Sequence, residues 1–111
     1  MNFEIQETDK FSADLEEAAL WLYAQNLEQS EELADRKLNE LEDEINSLKS
    51  HLRKNPEMGQ ADKQQGLRSF PIYSGRYSVS WIVLPGAKIV LLLALNDSKY
   101  PANLRNFSFD E

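Results

Sequence analysis

The chain contains no cysteine, one histidine, and only four glycines and four prolines among its 111 residues. Without cysteine there is no disulfide framework, no thiolate zinc site and no thiol nucleophile. The single histidine, His51, excludes any site that needs two histidines. The longest strongly apolar run, 89–95, has seven residues, whereas a membrane-spanning helix needs about 20. These absences predict a protein without a metal, a cofactor or a membrane partner.

The beginning of the sequence also lacks a targeting pattern. The segment MNFEIQETDK places acidic side chains where a secretory or mitochondrial leader carries cations and an apolar stretch. No linker or internal repeat divides the chain, and its length suits one modest hydrophobic core. We therefore expect a single cytoplasmic domain over residues 1–111.

Basic residues are scarce in the first half of the chain. The formal net charge is −7, from 12 basic and 19 acidic residues. Residues 1–48 carry 14 acidic and three basic side chains, a charge of −11, whereas residues 49–111 carry +4. One interpretation is that acidic helices are simply solvated, and the other is that the two halves meet different partners. Any surface that binds an anion is predicted to lie in the second half.

Hydrophobic periodicity predicts a strand followed by two helices. Apolar and polar side chains alternate over residues 2–7, the period of two that is typical of a strand with one solvated face. Over residues 9–26 the apolar side chains recur every three or four positions, which indicates a helix. A second helix is expected from the cap Ser30 to Asn55–Pro56, because the residue before proline avoids helical geometry. The short connection requires the two helices to lie antiparallel.

The second helix carries an apolar seam whose members are spaced by four and three residues. The seam consists of Ala34, Leu38, Leu41, Ile45, Leu48 and Leu52. Such a seam packs either within its own domain or against the helix of another chain.

Three further strands are predicted at residues 67–72, 77–83 and 89–95, after a polar loop at 57–66. The last run is apolar on both faces, which is typical of a central strand, and it is the expected neighbour of the first strand. Pro71 lacks an amide donor and is therefore expected at a sheet edge or a strand end. Together these elements predict a two-layer α+β domain of order β-α-α-β-β-β, in which an antiparallel helix hairpin packs on a small, mostly antiparallel sheet.

Four stretches of the chain resemble the elements of one known family. FEIQETDKFSADLEEAALWL is similar to its first strand and helix, and LKSHLRKNPEMGQ to the end of its second helix and a Pro-x-x-Gly turn. GLRSFPIYSGRYSVSWIV is similar to its next strand pair, and AKIVLLLALND to its last strand. The family is the RelE/ParE superfamily, the toxins of bacterial type II toxin–antitoxin pairs, and the resemblance covers residues 2 to about 100.

The resemblance implies one partner and two possible activities. RelE-like members are ribosome-dependent nucleases that cleave mRNA with cationic and tyrosine side chains, by general acid–base and electrostatic catalysis. ParE-like members bind DNA gyrase and inhibit it. In either branch a cognate antitoxin is expected to form a hetero-oligomer with the toxin. Its extended arm and short amphipathic helix are expected to fold on binding and to cover the groove near the helix hairpin and the sheet edge.

This sequence has only some of the catalytic residues that the RelE-like branch implies. The arginine of the family's third strand falls near Ser78 or Val79, where this chain has no base. A residual catalytic set, expected on the open face of the sheet, consists of Arg68, Arg76, Lys99 and Tyr100. The residues expected to contact the antitoxin are Trp21, Tyr23, Leu38, Leu41, Ile45 and Trp81.

The missing arginine and the acidic helical half favour the ParE-like interpretation. It implies a toxin that causes growth arrest by binding DNA gyrase and that its antitoxin neutralises. The alternatives are a RelE-like interferase acting on ribosome-bound mRNA, and a non-toxic relative that binds an antitoxin.

Overall fold

The computed structural model describes residues 2–61 and 66–98. The elements within these residues are β1 (Glu4–Glu7), α1 (Asp9–Leu27), α2 (Glu31–Lys54), β2 (Gln60–Ala61), β3 (Leu67–Ile72), β4 (Tyr77–Leu84) and β5 (Ile89–Asp97). The predicted α+β fold and its element order are confirmed, with one addition. The short strand β2 lies in the segment predicted as a loop, because two residues are too few to show a period of two.

The strands form one sheet in the order β1-β5-β4-β3-β2. Strand β1 pairs in parallel with β5, as expected from the sequence, and the other pairs are antiparallel. Pro71 lies near the end of β3, beyond Arg68 and Ser69, the residues that pair with β2. The described pairing of β2 with β3 therefore does not need an amide hydrogen at Pro71.

Hydroxyl side chains begin both helices. Thr8 Oγ1 accepts a hydrogen bond from the Phe11 amide at 3.1 Å and donates to the Leu92 carbonyl at 2.9 Å, so one residue caps α1 and ties it to β5. Ser30 Oγ accepts from the Leu33 amide at 2.9 Å and caps α2. Only residues 28–30 separate the helices, which therefore form the predicted hairpin.

The helix hairpin covers one face of the sheet, and the core lies between the two layers. The buried residues of α2 come from its apolar seam, and they are Ala34, Leu41, Ile45, Leu48 and Leu52. The largest buried side chain of the sheet is Trp81, which is fully enclosed. The seam is therefore core, and the alternative in which it is an open groove for another chain is wrong.

A bulge in β5 sets the direction of its last residues. Ser80 pairs with Ala94 and Trp81 pairs with Leu92, so Leu93 has no partner in β4. An extra residue of this kind shifts the alternation of side chains by one position. Leu92 and Leu95 can therefore both be buried under the helices although they are three residues apart.

Candidate partner-binding site

A pocket of about 350 Å³ lies between α1 and the ends of β4 and β5. Its lining residues are Asp14, Glu17, Ala18, Trp21, Tyr77, Leu95 and Asp97. The α1 residues are three or four positions apart, so they lie along one side of that helix. Tyr77 and Asp97 pair with each other across β4 and β5 and line the sheet side of the pocket.

Arg76 lies beside this pocket, directly before β4, and contacts three of its lining residues. Its guanidinium donates to both carboxylate oxygens of Asp97, at 3.0 Å from Nε and 3.3 Å from Nη2. The guanidinium carbon is 4.6 Å from the ring centroid of Trp21 and 5.2 Å from that of Tyr77. Such a bidentate pair combined with two cation–π contacts fixes an arginine in place. Only 16% of the Arg76 side chain is exposed, so it is a packed residue although it lies in the turn directly before β4.

Asp14 connects α1 to the bulged strand beneath the pocket. Its Oδ2 atom accepts hydrogen bonds from Lys10 Nζ at 2.9 Å and from the Leu95 amide at 3.2 Å. The second bond satisfies an amide group of β5 just beyond the bulge, where a side chain from the helix layer reaches the strand. The wall of the pocket is therefore held by side chains of both layers.

Two tyrosine hydroxyls are buried beside the pocket. The rings of Tyr73 and Tyr77 are tilted, with centroids 6.0 Å apart, and neither hydroxyl has a hydrogen-bond partner. Burial raises the pKa of both phenols above their ordinary value of 10.0, and Arg76 opposes this rise. Both tyrosines are consequently neutral at physiological pH and do not provide a phenolate base.

The pocket is bordered by an exposed aromatic side chain, a feature of surfaces that bind proteins. Within residues 2–61 and 66–98, no group of three or more acidic or histidine side chains is placed to hold a metal ion. Trp21 is 37% exposed beside the pocket, and large aromatic side chains of this kind often anchor protein partners. Neither helix that the structure describes is long and apolar enough to span a membrane.

Three solved structures of bacterial toxin–antitoxin proteins share this architecture. One is a chromosomal ParDE system from P. aeruginosa, with a TM-score of 0.60 and 18% identity over 86% of this chain and 95% of that chain. The chain has the RelE/ParE toxin fold. The E. coli RelBE complex matches with a TM-score of 0.56 and 5% identity, over 86% of this chain and 96% of that chain.

The third structure is the RelBE2 complex from Mycobacterium tuberculosis, with a TM-score of 0.55 and 14% identity over 87% of this chain and 99% of that chain. No family model and no curated protein matches the sequence. The resemblance inferred from the sequence is confirmed as a shared fold. Because proteins of both the ParE and the RelE type match, the fold does not distinguish between their activities.

Within the RelE/ParE fold, the residues expected to contact an antitoxin fall into two groups. Trp21, Tyr23 and Leu38 reach the surface of the helix hairpin. The remaining three are buried in the core, and they are Leu41, Ile45 and Trp81. They support the surface from below and are not accessible to a partner in this structure. Periodicity identified the apolar side of α2 but did not indicate that the sheet covers it.

The two described arginines of the expected catalytic set lie far apart. Arg68 pairs across the strands with the buried Trp81, and Arg76 directly precedes Tyr77 at the other end of β4. At roughly 3.3 Å per residue their backbones are about 15 Å apart. Arg68 Nε donates to the Met58 carbonyl at 3.0 Å. The expected cluster of these arginines on the open face is therefore not formed, while Lys99 and Tyr100 lie outside the described residues.

The open face of the sheet carries no cationic side chain along the described strands, and its one acidic side chain there is Glu4 on the edge strand β1. Strand alternation and the pairing register place uncharged side chains near its centre, including Ser69, Ser78, Ser80, Ile82, Leu91 and Asn96. Asn96 donates from Nδ2 to Ser80 Oγ at 3.3 Å. Arg68 is the one lysine or arginine within the five described strands. It lies on the helix-covered face of the sheet, as does its cross-strand partner Trp81.

Proposed function

We propose that this protein is the toxin of a bacterial type II toxin–antitoxin pair and that it acts by binding a protein target, DNA gyrase, as ParE-like toxins do. The shared fold supports a toxin. The observation that carries the mode of action is the open face of the sheet, to which the described strands contribute one acidic side chain, Glu4, and no cationic side chain. A cognate antitoxin is the partner that neutralises the toxin.

Cleavage of RNA makes demands that this face does not meet. The phosphorane formed during cleavage carries negative charge, which an enzyme stabilises with fixed donors and cations. Arg68 is engaged by the Met58 carbonyl in the segment after α2, and Arg76 is engaged by Asp97 and two aromatic rings. Moving either arginine to the open face would break these contacts. This argument favours the ParE-like activity over the RelE-like one.

The antitoxin is expected to contact Trp21, Tyr23 and Leu38, with Trp21 and Tyr23 on opposite flanks of α1 because residues two apart lie about 200° from one another around a helix. Trp21 is the strongest candidate anchor, because its ring stacks on Arg76 on one side and lines the pocket on the other. An antitoxin arm that folds on binding gains affinity from such a preformed aromatic contact. Truncation of Trp21 is expected to weaken antitoxin binding more than truncation of Leu38, which offers a smaller apolar side chain.

The first experiment is controlled expression of the protein in a bacterial host that lacks its antitoxin. We expect growth arrest, and rescue when the neighbouring antitoxin gene is expressed with it. A frameshifted copy at the same expression level provides the control. Normal growth at a high level of folded protein would contradict the proposal and would favour a non-toxic relative that only binds an antitoxin.

The second experiment separates the two activities with purified protein. We expect inhibition of gyrase supercoiling and no cleavage of ribosome-bound mRNA. Cleavage with untouched gyrase would establish the RelE-like alternative instead. In that case replacement of Arg68, Arg76 and Lys99 by alanine should abolish cleavage, with circular dichroism confirming that the variant is folded.

A further inference from the structure

The pocket between α1 and the ends of β4 and β5 has apolar walls that suit a short alkyl chain. These walls are formed by Ala18, Trp21, Tyr77 and Leu95. Because the side chain of Ala18 is a single methyl group, the wall of α1 recedes at the middle of the pocket. The volume of about 350 Å³ is within the range of small-molecule sites. The pocket can therefore hold a small ligand.

The charged side chains that line the pocket are all acidic. They are Asp14 and Glu17 on α1 and Asp97 on β5. Asp14 and Glu17 are three residues apart, so they lie on the same side of the helix, one turn from each other. Their charge repels an anionic ligand and attracts a cationic head group. The lining therefore favours a ligand that combines an alkyl chain with a positive charge.

An organic cation of the chain itself already occupies the edge of this site. The guanidinium of Arg76 is held by Asp97 and by the rings of Trp21 and Tyr77. These three partners of Arg76 also line the pocket, so its walls accept a cation through carboxylate and aromatic contacts. Because Arg76 engages both carboxylate oxygens of Asp97, a ligand is expected to use the two carboxylates of α1.

The lysine that pairs with Asp14 can be exchanged for a ligand. Lys10 Nζ donates to Asp14 Oδ2 at 2.9 Å, but 62% of the Lys10 side chain is exposed, against 12% of the Asp14 side chain. An exposed, flexible lysine gains little from such a pair, so an ammonium ion that enters the pocket replaces it at low cost. The hydrogen bond from the Leu95 amide to the same carboxylate keeps Asp14 in position during this exchange.

We propose that this pocket binds a primary aliphatic amine in its protonated form. The ammonium group donates to Asp14 and Glu17, and the alkyl chain lies against Ala18, Leu95 and the ring of Trp21. The ligand is a small molecule, so this site is additional to the contacts proposed for the antitoxin. Binding of the amine depends on the lining of the pocket and does not require the protein to be a toxin.

Three molecules with the same alkyl chain separate the effect of charge from that of apolar contact, and they are pentylamine, pentanol and pentanoate. Each is titrated into the isotope-labelled, full-length protein at neutral pH, and the amide signals are followed by NMR. We expect pentylamine to shift the signals of Trp21, Tyr77 and Leu95 with a dissociation constant of about 1 mM, and to bind more weakly at higher salt. Pentanol should bind at least about fivefold more weakly, and pentanoate should not bind.

Two acidic side chains that are neighbours on α1 provide matched variants. Glu17 lines the pocket, whereas Glu16 is exposed and does not belong to the described lining. Glu17→Gln should weaken the binding of pentylamine by about threefold or more, and Glu16→Gln should leave it unchanged although it removes the same charge. Trp21→Leu should weaken binding by about fivefold through loss of the aromatic wall. Melting temperatures confirm that the variants are folded.

Three results would overturn the proposal. One is binding of pentanol as tight as that of pentylamine, which would make the pocket a purely apolar site. The second is equal affinity of the two glutamine variants or undiminished binding by folded Trp21→Leu, which would place the amine elsewhere on the acidic surface. The third is tighter binding of pentanoate, which would make Arg76 the anchor of an anion site. Growth and gyrase assays do not enter this measurement, so failure of the toxin proposal would be recognised separately.

Discussion

At the scale of single residues, the indole of Trp81 is fully enclosed. Its Nε1 atom donates to the Pro56 carbonyl at 3.0 Å, which fastens the end of α2 to the sheet. Gly59 lies against the same ring. A Cβ atom at Gly59 would stand 2.6 Å from the Ser69 carbonyl oxygen and 2.9 Å from Trp81 Cη2. Only a residue without a side chain fits between them.

We expect Gly59→Ala to lower the free energy of unfolding by more than Gly75→Ala does. Both glycines have a positive φ, 84° and 82°, so both variants carry similar backbone strain. A Cβ atom at Gly75 meets nothing within 4 Å. The difference between the variants therefore measures the clash at Gly59, which should cost about 1–3 kcal/mol in urea denaturation. Equal losses of unfolding free energy in the two variants would show that the residues around Trp81 rearrange to accommodate the added Cβ atom.

Removing the buried hydroxyl of Tyr77 is expected not to lower the free energy of unfolding, in contrast to the alanine substitution at Gly59. Because this hydroxyl has no hydrogen-bond partner, Tyr77→Phe removes a desolvated polar atom and leaves the ring in place. We expect the free energy of unfolding to stay the same or to rise by up to about 2 kcal/mol. Thr8→Val is the control, since Thr8 Oγ1 is fully engaged and its loss should destabilise. A clear loss of stability in Tyr77→Phe would indicate a bound water at the hydroxyl.

The same tyrosine makes stability depend on alkaline pH. Burial raises the pKa of Tyr77 above 10.0 in the folded protein, so the unfolded chain loses this proton first as the pH rises. The contribution to stability is complete below pH 10 and declines above it. Tyr77→Phe should therefore lose less stability than the parent between neutral pH and pH values above 10, as followed by urea denaturation.

At the scale of the elements, the contribution of α2 comes from its buried seam. Leu41 is completely enclosed, whereas Leu38 in the same seam is half-buried. We expect Leu41→Ala to lower the free energy of unfolding by about 2–5 kcal/mol, and Leu38→Ala to lower it by less. Chemical denaturation of both variants measures the difference. A small loss for Leu41→Ala would mean that the core collapses around the cavity.

An ion pair between Glu7 and Lys49 joins the edge strand β1 to α2. The hydrogen bond from Lys49 lowers the pKa of Glu7 below 4.5, while partial burial opposes the shift and Ser12 adds a second hydrogen bond. A carboxylate with a lowered pKa stabilises the fold above pH 4.5 and loses this contribution as the pH falls through its folded value. The link between β1 and α2 should therefore weaken in acid.

We expect Glu7→Gln to be less stable than the parent at pH 7 and to approach it as the pH falls below 4.5. Urea denaturation at a series of pH values measures this difference. Glu42→Gln, at an exposed site on α2, should change stability little at any of them. A gap between parent and Glu7→Gln that stays constant down to pH 3 would show that the pair does not contribute through ionisation.

At the scale of the whole molecule, most of the acidic charge lies on the helices, and the open sheet face carries Glu4 and no cation along the described strands. Non-specific binding of nucleic acid depends on the number of phosphates that a protein neutralises. We therefore expect single-stranded RNA to bind weakly at 150 mM salt, with a dissociation constant of about 10⁻⁴ M or weaker in fluorescence anisotropy. Ser80→Arg places a cation on the open face and should tighten this binding. Tight, steeply salt-dependent binding by the parent would contradict the ParE-like proposal.

The helices and strands themselves could be predicted from the sequence because each has a local cause. The period of two in β1, the cap at Ser30 and the proline after Asn55 act within a few residues. The predicted ends agree with the structure to within two residues throughout. Strand β2 was missed because its two residues pair only after β3 is in place.

The site was predicted only in part, because its contacts join residues that are distant in the sequence. Periodicity could place Leu41 and Trp81 on apolar faces, but the packing of the hairpin on the sheet decided that both are buried. Arg76 meets Asp97 because the register of β4 with β5 brings residues 21 positions apart together. The sequence by itself determined the elements, their order and the acidic charge of the helices. Only the tertiary structure decided which apolar faces stay exposed and which cations are already paired, since burial and pairing depend on which layers meet.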